Sequence, residues 1–264
     1  MKILFLAIVF ISLAGCSTPS QRFDQRALKQ GLKSQQINSA PFQHRVYFAN
    51  NLTEGGVLHV YLDGDGTPWV RGHWIADDPT ARNPLILNLM KQDSEPAILL
   101  GRPCYYGLNN TLGCENKYWT SHRYSKEVVD SMTQVLNAWL MKHNFKAIIL
   151  IGYSGGGTLA ILMADKIKNI SAVVTVAANL DIAKWSQLHG YLTLKQSLNP
   201  ADEIELSQQI KQIHFAGKED KVVPSFIIKA YAERQKNAEY YEFFDKDHSC
   251  CWADNWKELL GLIK

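Results

Sequence analysis

The sequence lacks internal repeats, runs of lysine or arginine, and a strong excess of either charge. Its 264 residues include 28 basic and 25 acidic side chains, which gives a formal net charge of +3. Because nucleic-acid-binding domains usually carry a basic patch or stripe, this balance argues against a nucleic-acid partner. The length suits one large domain.

Two familiar ligand-binding motifs are also missing. The glycine-rich residues 152–157 lack the lysine of the phosphate-binding loop G-x-x-x-x-G-K-[ST] and do not fit G-x-G-x-x-G. The acidic segment DGDG at 63–66 departs from the calcium-loop frame, because Thr67 and Pro68 stand where a ligand and a glycine belong. We therefore expect neither a metal ion nor another cofactor.

The longest apolar run near the N-terminus, residues 3–14, is too short to span a bilayer permanently. It follows Lys2 and precedes small residues, as in a signal peptide. Leu13-Ala14-Gly15-Cys16 resembles a bacterial lipobox, which implies cleavage before Cys16, a lipid on its sulfur and a membrane-anchored protein of the cell envelope. Ser17 favours the outer membrane if the host is Gram-negative. An ordinary secretory signal is the alternative.

Four cysteines follow Cys16, and export would place them in an oxidising compartment. Cys104 and Cys114 flank a short loop rich in glycine and asparagine, so theirs is the preferred disulfide. Cys250 and Cys251 are adjacent, which leaves either a strained vicinal disulfide or two thiols. Zinc is a rival, but this spacing is not a recognised ligand pattern.

Apolar runs alternate with helical patterns along the chain. Residues 57–62, 96–101 and 147–151 read as strands, and residues 124–143 as a long helix. Further strands are predicted around 171–181, 210–217 and 239–244. Such alternation favours a parallel sheet, whose functional sites lie at the carboxyl ends of its strands.

One serine stands among four glycines where a predicted buried strand turns into a helix. Gly152, Ser154 and Gly156 have the G-x-S-x-G spacing, which resembles the nucleophile elbow of the α/β-hydrolase superfamily. A glycine-rich turn that only connects the two elements is the alternative. The resemblance implies that Ser154 is a nucleophile and that the Gly155 N–H faces the oxyanion.

The superfamily order of serine, acid and histidine assigns the two remaining residues of a triad. Asp220 follows the strand that ends near residue 217, with Glu219 as the backup acid and Asp181 as a weaker alternative. His248 follows the last predicted strand and is the one histidine after Asp220, whereas His214 lies inside a strand. The superfamily's H-G-x turn aligns with residues 63–65, so Asp65 is expected to supply the second oxyanion N–H, although Asp63 replaces the histidine.

The resemblance extends over residues 57–260, through DGDGTPW, GRPC, YWTSHRYS, GYSGGG, SLNPAD and HSCCW, to exported bacterial α/β-hydrolase-fold proteins. It implies an α/β-hydrolase fold over 41–264, with a mostly parallel central sheet, helices on both faces and a small cap or none. Residues 1–15 are expected to be a lipoprotein signal peptide and 16–40 a lipidated polar tether.

The activity implied is that of a serine hydrolase, most simply a monomeric carboxylic-ester hydrolase acting on a small-molecule or lipid-like ester. An amidase or peptidase with the same triad, or a non-catalytic binding lipoprotein, are the alternatives. Aromatic residues of the predicted loops would either line an ester-binding cleft or pack beneath the loops. They are Trp69, Trp74, Tyr105, Tyr106, Tyr118, Trp119, Trp185, Trp252 and Trp256.

Overall fold

A computed structural model describes residues 17–50, 52–202 and 205–263. The predicted signal peptide and Cys16 lie outside these residues. No helix within the described ranges is both long enough and apolar enough to cross a membrane.

A central sheet of eight strands organises the fold. Its strands are β1 Leu32–Ser39, β2 Phe42–Ala49, β3 Val57–Leu62, β6 Ala97–Leu100, β7 Ala147–Tyr153, β8 Ile170–Val176, β9 Lys211–Gly217 and β10 Ala238–Phe243, and a separate hairpin pairs β4 Trp69–Val70 with β5 Trp74–Ile75. The spatial order is β1-β2-β6-β3-β7-β8-β9-β10. The β1–β2 and β2–β6 pairs are antiparallel, and all pairs from β6 to β10 are parallel. The mostly parallel sheet of the predicted fold class is thus confirmed.

Helices cover both faces of the sheet. They are α1 Pro19–Lys29, α2 Leu85–Lys91, α3 Lys126–Leu140, α4 Gly155–Ala164, α5 Ile182–Leu188, α6 Ser225–Ala232 and α7 Trp256–Leu260, with short 3₁₀ turns at Asn116–Trp119 and Gly261–Ile263. One apolar core joins the sheet to α3, α4 and α6, and a second joins its other face to α1, α2 and α7. Because both faces are covered, the central strands are almost wholly apolar. The β7 run Ile148–Ile151, for example, is buried throughout.

Residues 16–40 were expected to form a polar tether, and the structure differs from this expectation. Thr18 and Gln21 form a capping box at the start of α1, which buries Phe23 and Ala27. The following strand β1 pairs with β2 over its whole length. Because β1 is an edge strand with mostly exposed side chains, its composition resembles that of a linker. The folded domain therefore begins well before residue 41.

Candidate active site

The turn between β7 and α4 holds Ser154 in a sparsely populated backbone conformation, with φ +50° and ψ −123°. A Cβ on Gly152 would lie 2.4 Å from the Gly156 carbonyl oxygen, and one on Gly156 would lie 2.1 Å from the Leu62 carbonyl oxygen. Only glycine lets the strand, the helix and β3 approach so closely. The turn therefore has the geometry expected of a nucleophile elbow.

His248 lies on the loop after β10 and reaches Ser154. The distance from His248 Nε2 to Ser154 Oγ is 3.1 Å. The imidazole packs beside the Tyr153 ring, with centroids 5.4 Å apart, and 18% of its side chain is exposed. It is therefore open enough to meet a substrate and close enough to accept the serine proton.

Asp220 lies on the loop after β9, and its side chain is completely buried. Its Oδ2 atom is 2.8 Å from His248 Nδ1. Its Oδ1 atom accepts hydrogen bonds from the backbone N–H groups of Val222 and Val223, both at 2.8 Å. A carboxylate can only accept hydrogen bonds, so Nδ1 carries the imidazole proton and Nε2 faces Ser154 as an acceptor.

The histidine loop is closed by contacts within itself. Lys246 is buried and donates from Nζ to the Cys251 carbonyl oxygen at 3.0 Å. The Trp252 indole N–H donates to the Asp247 carbonyl oxygen at 2.9 Å. Cys250 and Cys251 form a vicinal disulfide in the structure. Cys104 and Cys114 form a second disulfide, which is the pairing that the sequence favoured. Cys250 and Cys251 lie two and three residues after His248, so their bond belongs to the loop that positions the imidazole.

Asp65 lies beside Gly155, where an added Cβ would come 2.1 Å from Asp65 Oδ1. The Asp65 carboxylate accepts from Arg102 Nη1 at 2.6 Å, Arg123 Nη1 at 2.8 Å and the Tyr124 hydroxyl at 2.6 Å. Burial acts to raise the pKa of Asp65, but the two guanidinium groups hold it well below its usual range. Asp65 therefore stays ionised and fixes the backbone of the DGDG turn against the elbow.

The preceding acid, Asp63, has a different environment. It is fully enclosed, and its Oδ1 atom accepts the N–H of Gly64 at 2.9 Å. Burial raises the pKa of Asp63 to about 6. An added Cβ on Gly64 would lie 3.3 Å from Ser154 Cβ, so the turn runs directly past this serine. The DGDG turn therefore lies beside Ser154, and the Asp65 N–H as the second oxyanion donor stays a prediction.

A cleft of about 1080 Å³ opens above Ser154. Its wall contains Trp69 from the β4–β5 hairpin and Trp185, Tyr191 and Leu192 from residues 181–194, a segment that we call the cap. The cap is held over the acid loop, because Trp185 Nε1 donates to the Val222 carbonyl oxygen at 2.7 Å. Other predicted loop aromatics pack in the interior, namely Tyr105, Tyr106, Trp119, Trp252 and Trp256.

The alternative acids and the second histidine lie outside the triad. Glu219 is exposed beside Asp220. Asp181 is the N-cap of α5, where its side chain accepts the Lys184 N–H at 3.0 Å. His214 is fully buried and contacts the Thr175 hydroxyl at 2.8 Å. Asp181 and His214 therefore have structural roles. None of the three side chains makes a hydrogen bond with Ser154.

Sequence reasoning missed the cluster that holds Asp65. Arg102 lies two residues after the end of β6, and Arg123 and Tyr124 precede α3, so all three lie in loops at the carboxyl edge of the sheet. The available signal was an arginine placed immediately after a buried strand, at the edge where sites form. Among the described residues, no group of three or more His, Cys, Asp or Glu side chains is arranged to hold a metal ion.

Comparisons with solved structures agree with this fold. The chain is similar to the Pyrococcus furiosus esterase Pf2001, with 17% identity, a TM-score of 0.61 and coverage of 95% of this chain and 94% of that one. It is also similar to Est1E from Butyrivibrio proteoclasticus, solved with ferulic acid bound, with 12% identity, a TM-score of 0.65 and coverage of 87% and 100%. At such low identity these likenesses establish the fold alone.

No curated protein sequence matches the chain. A family model described as serine hydrolase (FSH1) matches residues 109–258, which is more than half of the 264 residues and includes the elbow, the acid loop and the histidine loop. The chain belongs to the FSH1 serine hydrolase family, within the α/β-hydrolase superfamily.

Proposed function

We propose that the protein is an envelope-anchored carboxylic-ester hydrolase that works through Ser154, His248 and Asp220. The observation that carries this proposal is the unbroken hydrogen-bonded series from Ser154 Oγ through the imidazole to the buried carboxylate, at 3.1 and 2.8 Å. A serine hydroxyl is a weak nucleophile, and a neutral imidazole in this position removes its proton as it attacks.

In the first half-reaction, Ser154 Oγ attacks the ester carbonyl carbon and His248 Nε2 takes the hydroxyl proton. The tetrahedral intermediate carries a negative oxygen, which accepts from the Gly155 N–H at the start of α4 and from the Asp65 N–H. The first N–H groups of a helix have no intrahelical partner, so the Gly155 donor is available. The intermediate collapses, His248 protonates the departing alcohol, and an acyl-enzyme on Ser154 remains.

In the second half-reaction, water replaces the alcohol. His248 takes a proton from the water, the hydroxide attacks the acyl carbon, and the carboxylic acid leaves as Ser154 regains its proton. The apolar wall formed by Trp69, Tyr191 and Leu192 suits an acyl or aromatic group beside the ester.

Ser154→Ala tests the nucleophile. The variant should lose labelling by a fluorophosphonate probe and about 10⁴–10⁶-fold in the turnover of p-nitrophenyl butyrate, because the acyl-enzyme cannot form. Ser34→Ala, an exposed serine on β1, is the matched control and should keep both. Turnover of Ser154→Ala near the wild-type rate would refute the proposal. If the wild type cleaved a matched p-nitroanilide faster than the ester, the protein would be an amidase. If the wild type showed neither probe labelling nor turnover, it would be a binding protein.

The anchoring part of the proposal rests on the lipobox-like residues 13–16. A palmitate analogue should label the wild type and leave Cys16→Ser unlabelled, and Cys16→Ser should leave the membrane fraction. An unlabelled wild type would point to an ordinary secreted enzyme.

A further inference from the structure

We propose that the mouth of the cleft docks on a lipid bilayer, so that lipid esters held in that surface enter the site directly. This inference rests on the ester-hydrolase activity and the N-terminal anchor proposed above. It adds a partner surface, and with it a substrate class, to the same site.

One side of the mouth is the β4–β5 hairpin. It pairs Trp69 with Ile75, and Gly72 lies at its tip with φ +74°. The exposed fractions are 41% for Trp69, 71% for Trp74 and 39% for Ile75. Trp69 and Gly72 line the cleft, so the hairpin borders its opening, and Trp74 and Ile75 are the exposed side chains of its second strand.

The other side of the mouth is the cap. Leu188 at the end of α5 is 51% exposed, Tyr191 is 57% exposed and Leu192 is 91% exposed. Tyr191 and Leu192 line the same cleft as Trp69. A single exposed apolar residue is ordinary on a protein surface, but apolar residues on both sides of one opening mark an interaction surface. Tryptophan and tyrosine are the residues that concentrate where protein meets a lipid headgroup layer.

The place where the chain enters the domain identifies the bilayer as the occupant. The N–H of Ser20 donates to Asp78 Oδ2 at 2.9 Å, and Asp78 is three residues beyond Ile75. Farther along α1, Arg26 Nη1 donates to the carbonyl oxygen of Arg82, a residue of the cleft wall, at 3.2 Å. The N-terminal helix is therefore fastened to the segment that leads from the hairpin into the cleft.

The proposed lipid on Cys16 lies four residues before Ser20. Four extended residues span at most about 14 Å, so an anchored chain keeps the hairpin close to the membrane that holds it. An anchor separated from the domain by a long linker would not determine how the cleft is oriented relative to the membrane. An anchor at this point brings the apolar mouth to the same surface as the lipid, so the anchor and the mouth act together.

Fluorescence quenching tests the docking without catalysis. Full-length Ser154→Ala protein in phosphatidylcholine vesicles with acyl chains brominated near the headgroup should show quenched tryptophan emission. Trp74→Phe in the same background should lose a large part of this quenching, whereas Trp139→Phe, which removes a tryptophan buried in α3, should not. Anchoring alone cannot produce this difference, because it does not bring Trp74 into the lipid. Equal quenching in the Trp74→Phe variant and its parent would overturn the inference.

Activity provides the second test. The double variant Trp74→Ser/Ile75→Ser changes two side chains that are outside the cleft wall. It should hydrolyse a long-chain ester in vesicles at least about tenfold more slowly, and dissolved p-nitrophenyl acetate at the wild-type rate. Met141→Ser is the control, because Met141 is 84% exposed at the end of α3, close before β7 and thus at the opposite edge of the sheet.

An equal loss on both substrates in the double variant would overturn the docking surface. A Trp74-dependent dimer in sedimentation equilibrium, without lipid quenching, would also overturn it and assign the surface to a second copy of the chain. If the wild type hydrolyses neither ester, the proposed function fails, and the quenching result alone decides whether the mouth docks on lipid.

Discussion

Replacing Asp220 by asparagine should reverse one hydrogen bond of the triad while keeping its shape. Asp220 Oδ1 accepts two backbone N–H groups, and Oδ2 accepts the proton on His248 Nδ1. An asparagine side chain has one accepting oxygen and one donating NH₂ group. If the oxygen stays on the two backbone N–H groups, the NH₂ group faces His248 Nδ1. The imidazole must then carry its proton on Nε2, where it cannot accept the proton of Ser154.

The size of the effect follows from the cost of the opposite orientation. Turning the amide around would restore the correct tautomer but would leave the N–H groups of Val222 and Val223 facing the NH₂ group. Leaving a buried donor without a partner costs about 1–3 kcal/mol, so two cost about 2–6 kcal/mol. The wrong tautomer therefore dominates, and kcat should fall by about 10⁴, the loss that this substitution causes in other triads.

The assay is steady-state hydrolysis of p-nitrophenyl butyrate, with circular dichroism and the melting temperature as checks on the fold. Asp181→Asn is the matched control, because aspartate and asparagine cap a helix equally well and the Asp181 carboxylate accepts hydrogen bonds from the start of α5 and from Asn199. It should change kcat by less than about twofold, as for a surface helix cap. A kcat of folded Asp220→Asn within tenfold of wild type would refute the assignment of the acid.

Two further predictions concern stability. Burial lowers the pKa of His214 to about 3 and that of His44 to about 4, so the unfolded chain binds protons first and the free energy of unfolding should fall as the pH drops from about 6.5 towards 4. His214→Asn should weaken this dependence of the urea midpoint on pH, and an unchanged dependence would contradict the burial argument. Replacing Cys104 and Cys114 together by serine should lower the free energy of unfolding by about 3 kcal/mol, because the bond closes a loop in the unfolded chain. A double variant as stable as the oxidised wild type would contradict this.

The elements that could be predicted from the sequence are those determined by residues close together in the chain. The elbow needs glycine at Gly152 and Gly156, and the structure shows backbone atoms in the space where their side chains would be. Strand β3 was predicted with its observed bounds, because its apolar residues are bounded by glycine on one side and by an acidic turn on the other. Helix α4 begins at Gly155, whereas the apolar helical pattern in the sequence begins only at Thr158, since glycines conceal such a pattern.

The parts that could not be read depend on partners far away in the chain. Arg102 and Arg123 hold Asp65 across separations of 37 and 58 residues, and no short spacing shows such a cluster. The edge strand β1 was missed for a different reason. Its polar side chains face solvent, and its place in the sheet comes from backbone pairing with β2, which composition does not reveal.

The three triad residues depend on strands of unequal local stability. Ser154 and Asp220 follow β7 and β9, which are interior strands of the sheet, whereas His248 follows β10 at its edge. Strand β10 pairs with β9 alone, and none of its residues is fully buried. Such an edge opens at a lower free energy than the core and can do so as a separate cooperative unit. Amide protons of β10 should therefore exchange before those of β7. The lifetime of an assembled catalytic site is then set by the fraying of one edge strand and not by the unfolding of the domain.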